Sequence, residues 1–186
     1  MFPKKTLFRV ADRDGNFNND FTYEETNNWV NQIANGLKND YGIDKGKKVG
    51  IYMLNSPEYV VSILACHKTG AVQVPINKDE KGERLAYVIN YSEMIVLIVD
   101  PGSVEFIEEI ADNLENLKTI VMTGDPESIP EKIAGIKTLP FSTFENFSTD
   151  NPGVEVTTHD VERCMFTSGT TGMPKGVSRN HGGVVL

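Results

Sequence analysis

Residues 166–177 read Phe-Thr-Ser-Gly-Thr-Thr-Gly-Met-Pro-Lys-Gly-Val. Ser168, Thr170 and Thr171 bring hydroxyl donors, and Lys175 brings a mobile positive charge suited to a polyphosphate. Gly169, Gly172 and Gly176 free the backbone to bend and to approach a ligand closely, so that amide N–H groups can converge on phosphate oxygens as a nest. The chemistry this segment points to is recognition of a nucleotide's phosphates. A Walker A loop needs G-x-x-x-x-G-K-[ST], whereas here Pro174 precedes Lys175 and Gly176 follows it, which excludes the ordinary P-loop NTPase. The bland competitor is a flexible turn rich in small residues.

Other chemically capable residues read more plainly. Glu105, Glu108, Glu109, Asp112 and Glu115 share helical faces, but no histidine stands at matching spacing. A solvated acidic face is therefore expected rather than a carboxylate metal site, and no metal ligand is assigned. His67, beside Cys66 on an otherwise apolar helix, reads as a packing histidine. His181 is expected to open the helix after the loop, and Asp100-Pro-Gly-Ser103 to cap one. Cys66 and Cys164 lack Cys-x-x-Cys spacing, which indicates free thiols rather than a disulfide framework or a zinc site.

Alternating strand and helix patterns are what must carry the loop. Thr22 and Glu25 form a capping-box pair ahead of Val30, Ile33, Ala34 and Leu37, which fall on one helical face. A strand pattern follows at 46–54, then Ser56 and Pro57 open a second helix that Gly70 stops. Further strands are expected near 71–75, 94–99 and 118–122. A polar helix through Glu83, Leu85 and Val88 separates the first two, and a helix burying Val104, Ile107, Ala111 and Leu114 the last two. Residues 94–99 are apolar without alternation, as in a strand covered on both faces. This order predicts an α/β fold, an open and mostly parallel sheet with helices on both faces. The breaker cluster at 148–153 divides residues 1–150, an α/β amino-terminal subdomain, from 151–186, which would hold a linker, a strand near 161–166, the loop and the start of a next subdomain. The loop then sits at the carboxyl end of a strand, where open α/β sheets bind ligands.

Composition agrees with a folded chain, since 16 Gly and 9 Pro in 186 residues lie far below the roughly 25–30% Pro plus Gly of low-complexity polymers. A net charge of −8 makes nucleic acid and anionic membranes the wrong partners. Apolar runs such as 94–99 fall well short of the ~18 residues of a membrane span. The amino-terminal residues do not build a signal peptide either, and a cytoplasmic location is expected.

Thr-Ser-Gly-Thr-Thr-Gly-Met-Pro-Lys-Gly at 167–176 resembles the phosphate-binding signature of the adenylate-forming acyl-CoA synthetases. Thr22-Tyr-Glu24, Gly46-Lys-Lys-Val-Gly-Ile51, Asn55-Ser-Pro-Glu58, Gly70-Ala-Val72 and Val74-Pro-Ile-Asn77 are similar to that family's amino-terminal region, in its order. The resemblance implies a parent enzyme that uses ATP and Mg2+ to turn a carboxylic acid, fatty acids among the candidates, into an acyl-adenylate and then passes the acyl group to coenzyme A. It also implies that Thr167, Ser168, Gly169, Thr170, Thr171, Gly172 and Lys175 hold the β- and γ-phosphates. The family's later aromatic-Gly-x-Thr-Glu motif, ribose-binding Asp and catalytic Lys have no counterpart here, so no catalytic residue is assigned. An amino-terminal portion, inactive by itself, is expected. A stand-alone nucleotide-phosphate-binding regulatory module is the alternative. Residues beyond Pro174 are expected either to lack order or to be held by a neighbouring copy through the exposed edge.

Overall fold

The computed structural model describes residues 2–11, 14–167 and 172–183, without the side chain of Asn18. Strands β1 (Thr6–Ala11) and β2 (Phe17–Thr22) lead into helix α1 (Tyr23–Asn39), followed by β3 (Lys48–Tyr52), α2 (Pro57–Thr69), β4 (Val72–Pro75) and α3 (Gly82–Tyr91). Next come β5 (Val96–Val99), α4 (Val104–Glu109), β6 (Thr119–Met122), β7 (Lys132–Ile133), β8 (Ile136–Pro140), β9 (Val161–Thr167) and β10 (Lys175–Asn180).

Strand period decides where the helices go. In β3, Val49 and Ile51 face a core shared with α1 and α2, while Tyr52 faces a core shared with α3 and α4. The same split recurs in β5, with Val96 and Ile98 against Leu97 and Val99, and in β6, with Val121 against Ile120 and Met122. A strand whose successive side chains enter two different cores must be apolar throughout, which is why these segments show no alternation. The sheet order is β10-β9-β4-β3-β5-β6-β8-β7. The strands from β9 to β8 pair in parallel, and β10 and β7 add antiparallel edges. The α/β architecture with helices on both faces is thus present. No helix among the described residues is long and apolar enough to cross a membrane.

Helix ends follow their sequence signals. The Thr22 hydroxyl accepts from Glu25 N while the Glu25 carboxylate accepts from Thr22 N, a complete capping box. Ser56 Oγ accepts from Tyr59 N at 3.2 Å with Pro57 in the first turn, and Gly70 closes α2 at φ +67°. The helix expected to bury Val104, Ile107, Ala111 and Leu114 differs. Ile110 leaves helical geometry at φ −107°, ψ 6°, and Ala111–Asn113 continue as a 3-10 turn. The deeply buried pair is therefore Ile107 and Ile110.

The breaker segment around 148–153 is strapped to α1. Asn31 Nδ2 donates to Thr149 O at 2.6 Å, Asn35 Nδ2 donates to Ser148 O and Asp150 O, and Lys38 Nζ donates to Pro152 O at 3.1 Å. Side-chain amides on the helix satisfy loop carbonyls that strand pairing does not reach. This strap carries the chain across the α1 face to the start of β9.

Candidate active site

β9 runs parallel to β4, so its carboxyl end falls along the sheet edge where β3, β4, β5 and β6 also end. Thr167 is the last residue of β9 and Lys175 the first of β10, and the two are register partners. Thr167 Oγ1 donates to Lys175 O at 3.4 Å. Lys175 and Gly172 are exposed while Pro174 between them is buried, so the segment is anchored at its centre and open on either side. Gly172 has φ +128° with open space where a Cβ would stand, so its backbone conformation, not crowding, calls for glycine. Gly176 is the opposite case: a Cβ there would stand 3.2 Å from Cys164 Sγ and 3.5 Å from the Phe166 ring. Of the residues singled out for phosphate, Thr167, Gly172 and Lys175 belong to this one hairpin; Ser168, Gly169, Thr170 and Thr171 lie outside the described residues.

Residues 175–180, part of the segment expected either to lack order or to be held by a neighbouring copy, form β10 paired with β9 of the same chain. β10 keeps register with β9 from Lys175↔Thr167 to Asn180↔Val161. His181 begins a 3-10 turn rather than a helix, held by His181 N to Asp160 O at 3.0 Å and Gly182 N to Thr158 O at 2.9 Å. The backbone ladder supplies what a segment with few apolar residues could not gain from burial.

A second polar group sits on the same sheet edge. Asp100, just beyond β5, accepts from Leu54 N at 2.8 Å, Lys78 Nζ at 2.9 Å and Ser103 Oγ at 2.7 Å. Burial works against ionisation of this carboxyl, yet the bonds from Lys78, Leu54 and Ser103 outweigh it and hold its pKa below the ordinary aspartate value. Lys78 also lies 4.5 Å from the centre of the Tyr52 ring, and burial, with help from Asp100, pushes the Tyr52 phenol up to about 12. In place of the capping role its sequence context predicts, the Asp100 side chain makes no capping bond to the backbone of the following turn. It ties together the segments following β3, β4 and β5 instead.

His67 is engaged at the other end of β9. Its Nε2 lies 3.0 Å from Glu162 Oε2, which also accepts from Gln73 Nε2 at 2.9 Å. The His67 ring meets His181 edge-on at 5.2 Å. Burial, and next His67, push the His181 pKa down. Neither Gln73 nor Glu162 stands out by sequence alone. The available signal is a glutamate inside an otherwise strand-like run, with a glutamine inside another. Glu105, Glu108, Glu109, Asp112 and Glu115 are all exposed, and no group of three or more His, Cys, Asp or Glu gathers for a metal among the described residues.

Known proteins are similar to this chain in sequence and in fold. The AMP-binding enzyme family profile matches residues 2–186. The chain is 32% identical to the 3-hydroxybenzoate--CoA/4-hydroxybenzoate--CoA ligase of Thauera aromatica, over 89% of its own length and 30% of that protein. It is 27% identical to N-(5-amino-5-carboxypentanoyl)-L-cysteinyl-D-valine synthase of Penicillium rubens, over 99% of its length and 5% of that protein. Among solved structures, the anthranilate CoA ligase AuaEII in complex with anthranoyl-AMP superposes with a TM-score of 0.82 at 29% identity, covering 95% of this chain and 32% of that one. The chain therefore spans a third or less of each of these three proteins. It corresponds to the amino-terminal portion of adenylate-forming acyl-CoA synthetases and related ligases. With the profile match running almost end to end, this chain belongs to the AMP-binding enzyme family.

Proposed function

We propose that this chain is the phosphate-gripping amino-terminal part of a cytoplasmic, ATP-dependent carboxylic acid:CoA ligase. The observation that carries the reading is the β9–β10 hairpin: at the carboxyl edge of a parallel sheet Thr167 and Lys175 are register partners, and the backbone conformation of Gly172 calls for glycine. In the reaction, a carboxylate oxygen attacks the α-phosphorus of ATP and the bond from that phosphorus to the bridging oxygen breaks. Pyrophosphate leaves with the bond's electron pair, and a thiol then displaces AMP from the acyl carbon to give a thioester. Two anions must meet in the first step. Donors fixed on the departing phosphates stabilise the charge that accumulates there. Lys175 would pair with the β- and γ-phosphates as a point charge, and the Thr167 hydroxyl, the loop amides and the residues from Ser168 to Gly172 would fix their orientation.

The exposed ammonium of Lys175 and the open space at Gly172 fit a polyphosphate. Mg2+ would enter with ATP and supply further charge neutralisation on the phosphates. No carboxylate of this chain is assigned to it, nor any residue to coenzyme A. The relatives' names include acids of different kinds, aromatic among them, so the acid is proposed only as a carboxylic acid, with fatty acids in the panel to test. Pyrophosphate release from ATP should depend on an added acid, and thioester should form once CoA is present, in a protein that carries this chain together with the rest of a family-length enzyme. The 186-residue chain alone should release none. Acid-independent ATP binding with no release by that longer protein would favour a regulatory module instead.

A further inference from the structure

Glu162 is a carboxylate with 1% of its side chain exposed, on the strand that bears the phosphate loop. Its Oε2 receives Gln73 Nε2 from β4 at 2.9 Å and faces His67 Nε2 from α2 at 3.0 Å. Its Oε1 has no hydrogen-bond partner among the described residues and lies 3.4 Å from the Arg163 guanidinium. Gln73 Nε2 also stands 3.0 Å from His67 Nε2, so the three atoms form a triangle. The Gln73 amide could donate to the ring nitrogen only if that nitrogen were bare, and its lone pair would then confront the carboxylate at 3.0 Å. The His67 ring and the Gln73 amide therefore converge on the same carboxylate oxygen, Glu162 Oε2. A buried carboxylate left incompletely satisfied among the described residues is costly, and in some proteins such a group specifies one arrangement over its competitors.

The backbone explains why specification is needed here. β3 is in register with β4 over four pairs, from Lys48↔Val72 to Ile51↔Pro75, whereas β4 and β9 share the single pair Gln73↔Arg163 among the described residues. The hairpin carrying the loop thus meets the parallel sheet at a register pair one residue from Glu162. Glu162 lies at the base of that hairpin, and the loop begins after Thr167. Over those five residues, at about 3.3 Å each, a tilt of about 10° at the base would move the tip by roughly 3 Å. A misplacement of about 1 Å is already enough to damage a site built on fixed donors.

We propose that Glu162 is a positioning residue: with His67 and Gln73 it sets the angle and register of the β9–β10 hairpin on the sheet, and so the placement of Thr167 and Lys175. The return strand is held at the same end, where His181 packs on His67 and its N–H donates to Asp160 O at 3.0 Å. Lys45 in turn pairs with the Asp160 carboxylate at 2.7 Å. This inference rests on reading the hairpin as a phosphate site, and its test separates the two.

The measurements are amide hydrogen exchange and pyrophosphate affinity, on the 186-residue chain and its variants. Glu162→Leu removes the acceptor while filling its space, and Glu162→Gln keeps one acceptor oxygen. His67→Phe keeps a ring and removes its nitrogens. In Glu162→Leu the amides of 161–167 and 175–180 should exchange about tenfold faster while those of β3 and β5 stay within about twofold of the parent. Pyrophosphate affinity should fall by about tenfold, and Glu162→Gln should recover both readouts to within about threefold. His67→Phe should show the same pattern more weakly, and it carries the comparison if Glu162→Leu does not fold. Faster exchange spread evenly over the whole sheet would overturn the proposal, as would unchanged pyrophosphate affinity in a loosened hairpin. If the parent chain binds no pyrophosphate, the phosphate reading fails, while the exchange result still decides whether Glu162 tethers the hairpin.

Discussion

Replacing Asp100 by Asn keeps the side chain's shape and removes the charge that three donors converge on. Lys78 Nζ, Leu54 N and Ser103 Oγ lie 2.9, 2.8 and 2.7 Å from the carboxylate. An amide offers a single acceptor oxygen, so its NH2 group must face either the Leu54 amide or the Lys78 ammonium. Hydrogen bonds to charged groups are worth about 1.5–3 kcal/mol. The Lys78 and Asp100 side chains are 21% and 16% exposed, which places the loss in the lower half of that range, about 2 kcal/mol. For a chain of this size, that lowers Tm by roughly 4–8 °C. The sign with pH follows from the depressed pKa of Asp100. Its stabilisation is complete above the unfolded value of about 3.9 and disappears as pH falls through the lower folded value. Thermal melts followed by circular dichroism at neutral and acid pH should show Asp100→Asn well below the parent at pH 7 and approaching it in acid. Lys78→Met should cost less when Asp100→Asn is already present than in the parent. Equal melts at pH 7, or a gap that stays constant into acid, would refute the ion-pair account of this edge.

Gly176→Val should destabilise the chain by about 1–3 kcal/mol, because the new side chain meets Cys164 and Phe166; urea unfolding checks this, and an unchanged midpoint would contradict the packing described. Thr22→Ala should cost about 1 kcal/mol through loss of the α1 cap, with Thr22→Ser close to the parent in the same assay. Burial pushes the Cys66 thiol up to about 12 and raises Cys164 as well, but Cys66 is fully buried whereas Cys164 is only partly so. Iodoacetamide at neutral pH should therefore modify Cys164 first in the folded chain, and mass spectrometry showing equal rates would count against this burial pattern.

What can be read from sequence is whatever a local signal encodes. The Thr22/Glu25 box, the Ser56-Pro57 start and the Gly70 stop act over a few residues, and the apolar runs of β3, β5 and β6 follow from burial on both faces. Strand β10 escapes such a reading because all six of its residues are exposed, leaving no apolar alternation to detect. The β1–β2 hairpin depends on partners far apart in sequence, such as the Phe8 and Phe21 rings stacked at 4.7 Å. The pattern over-extends α4 because Ala111 and Leu114 continue the helical spacing after Ile110 has turned the backbone. At the site, the loop's glycines and Lys175 announce themselves. The groups around it do not, since Glu162 meets His67 across 95 residues and Asp100 meets Leu54 across 46. A tertiary contact between ordinary residue types leaves no spacing to read.

The central claim is that the β9–β10 hairpin binds polyphosphate through Lys175. Titration of pyrophosphate into the 186-residue chain and into Lys175→Ala, by calorimetry at fixed low salt, tests it most directly. The account predicts saturable binding by the parent and an affinity lower by roughly tenfold to a hundredfold in the variant, the worth of one charge-assisted contact. Equal affinities in the two proteins, or no binding by the parent, would contradict it.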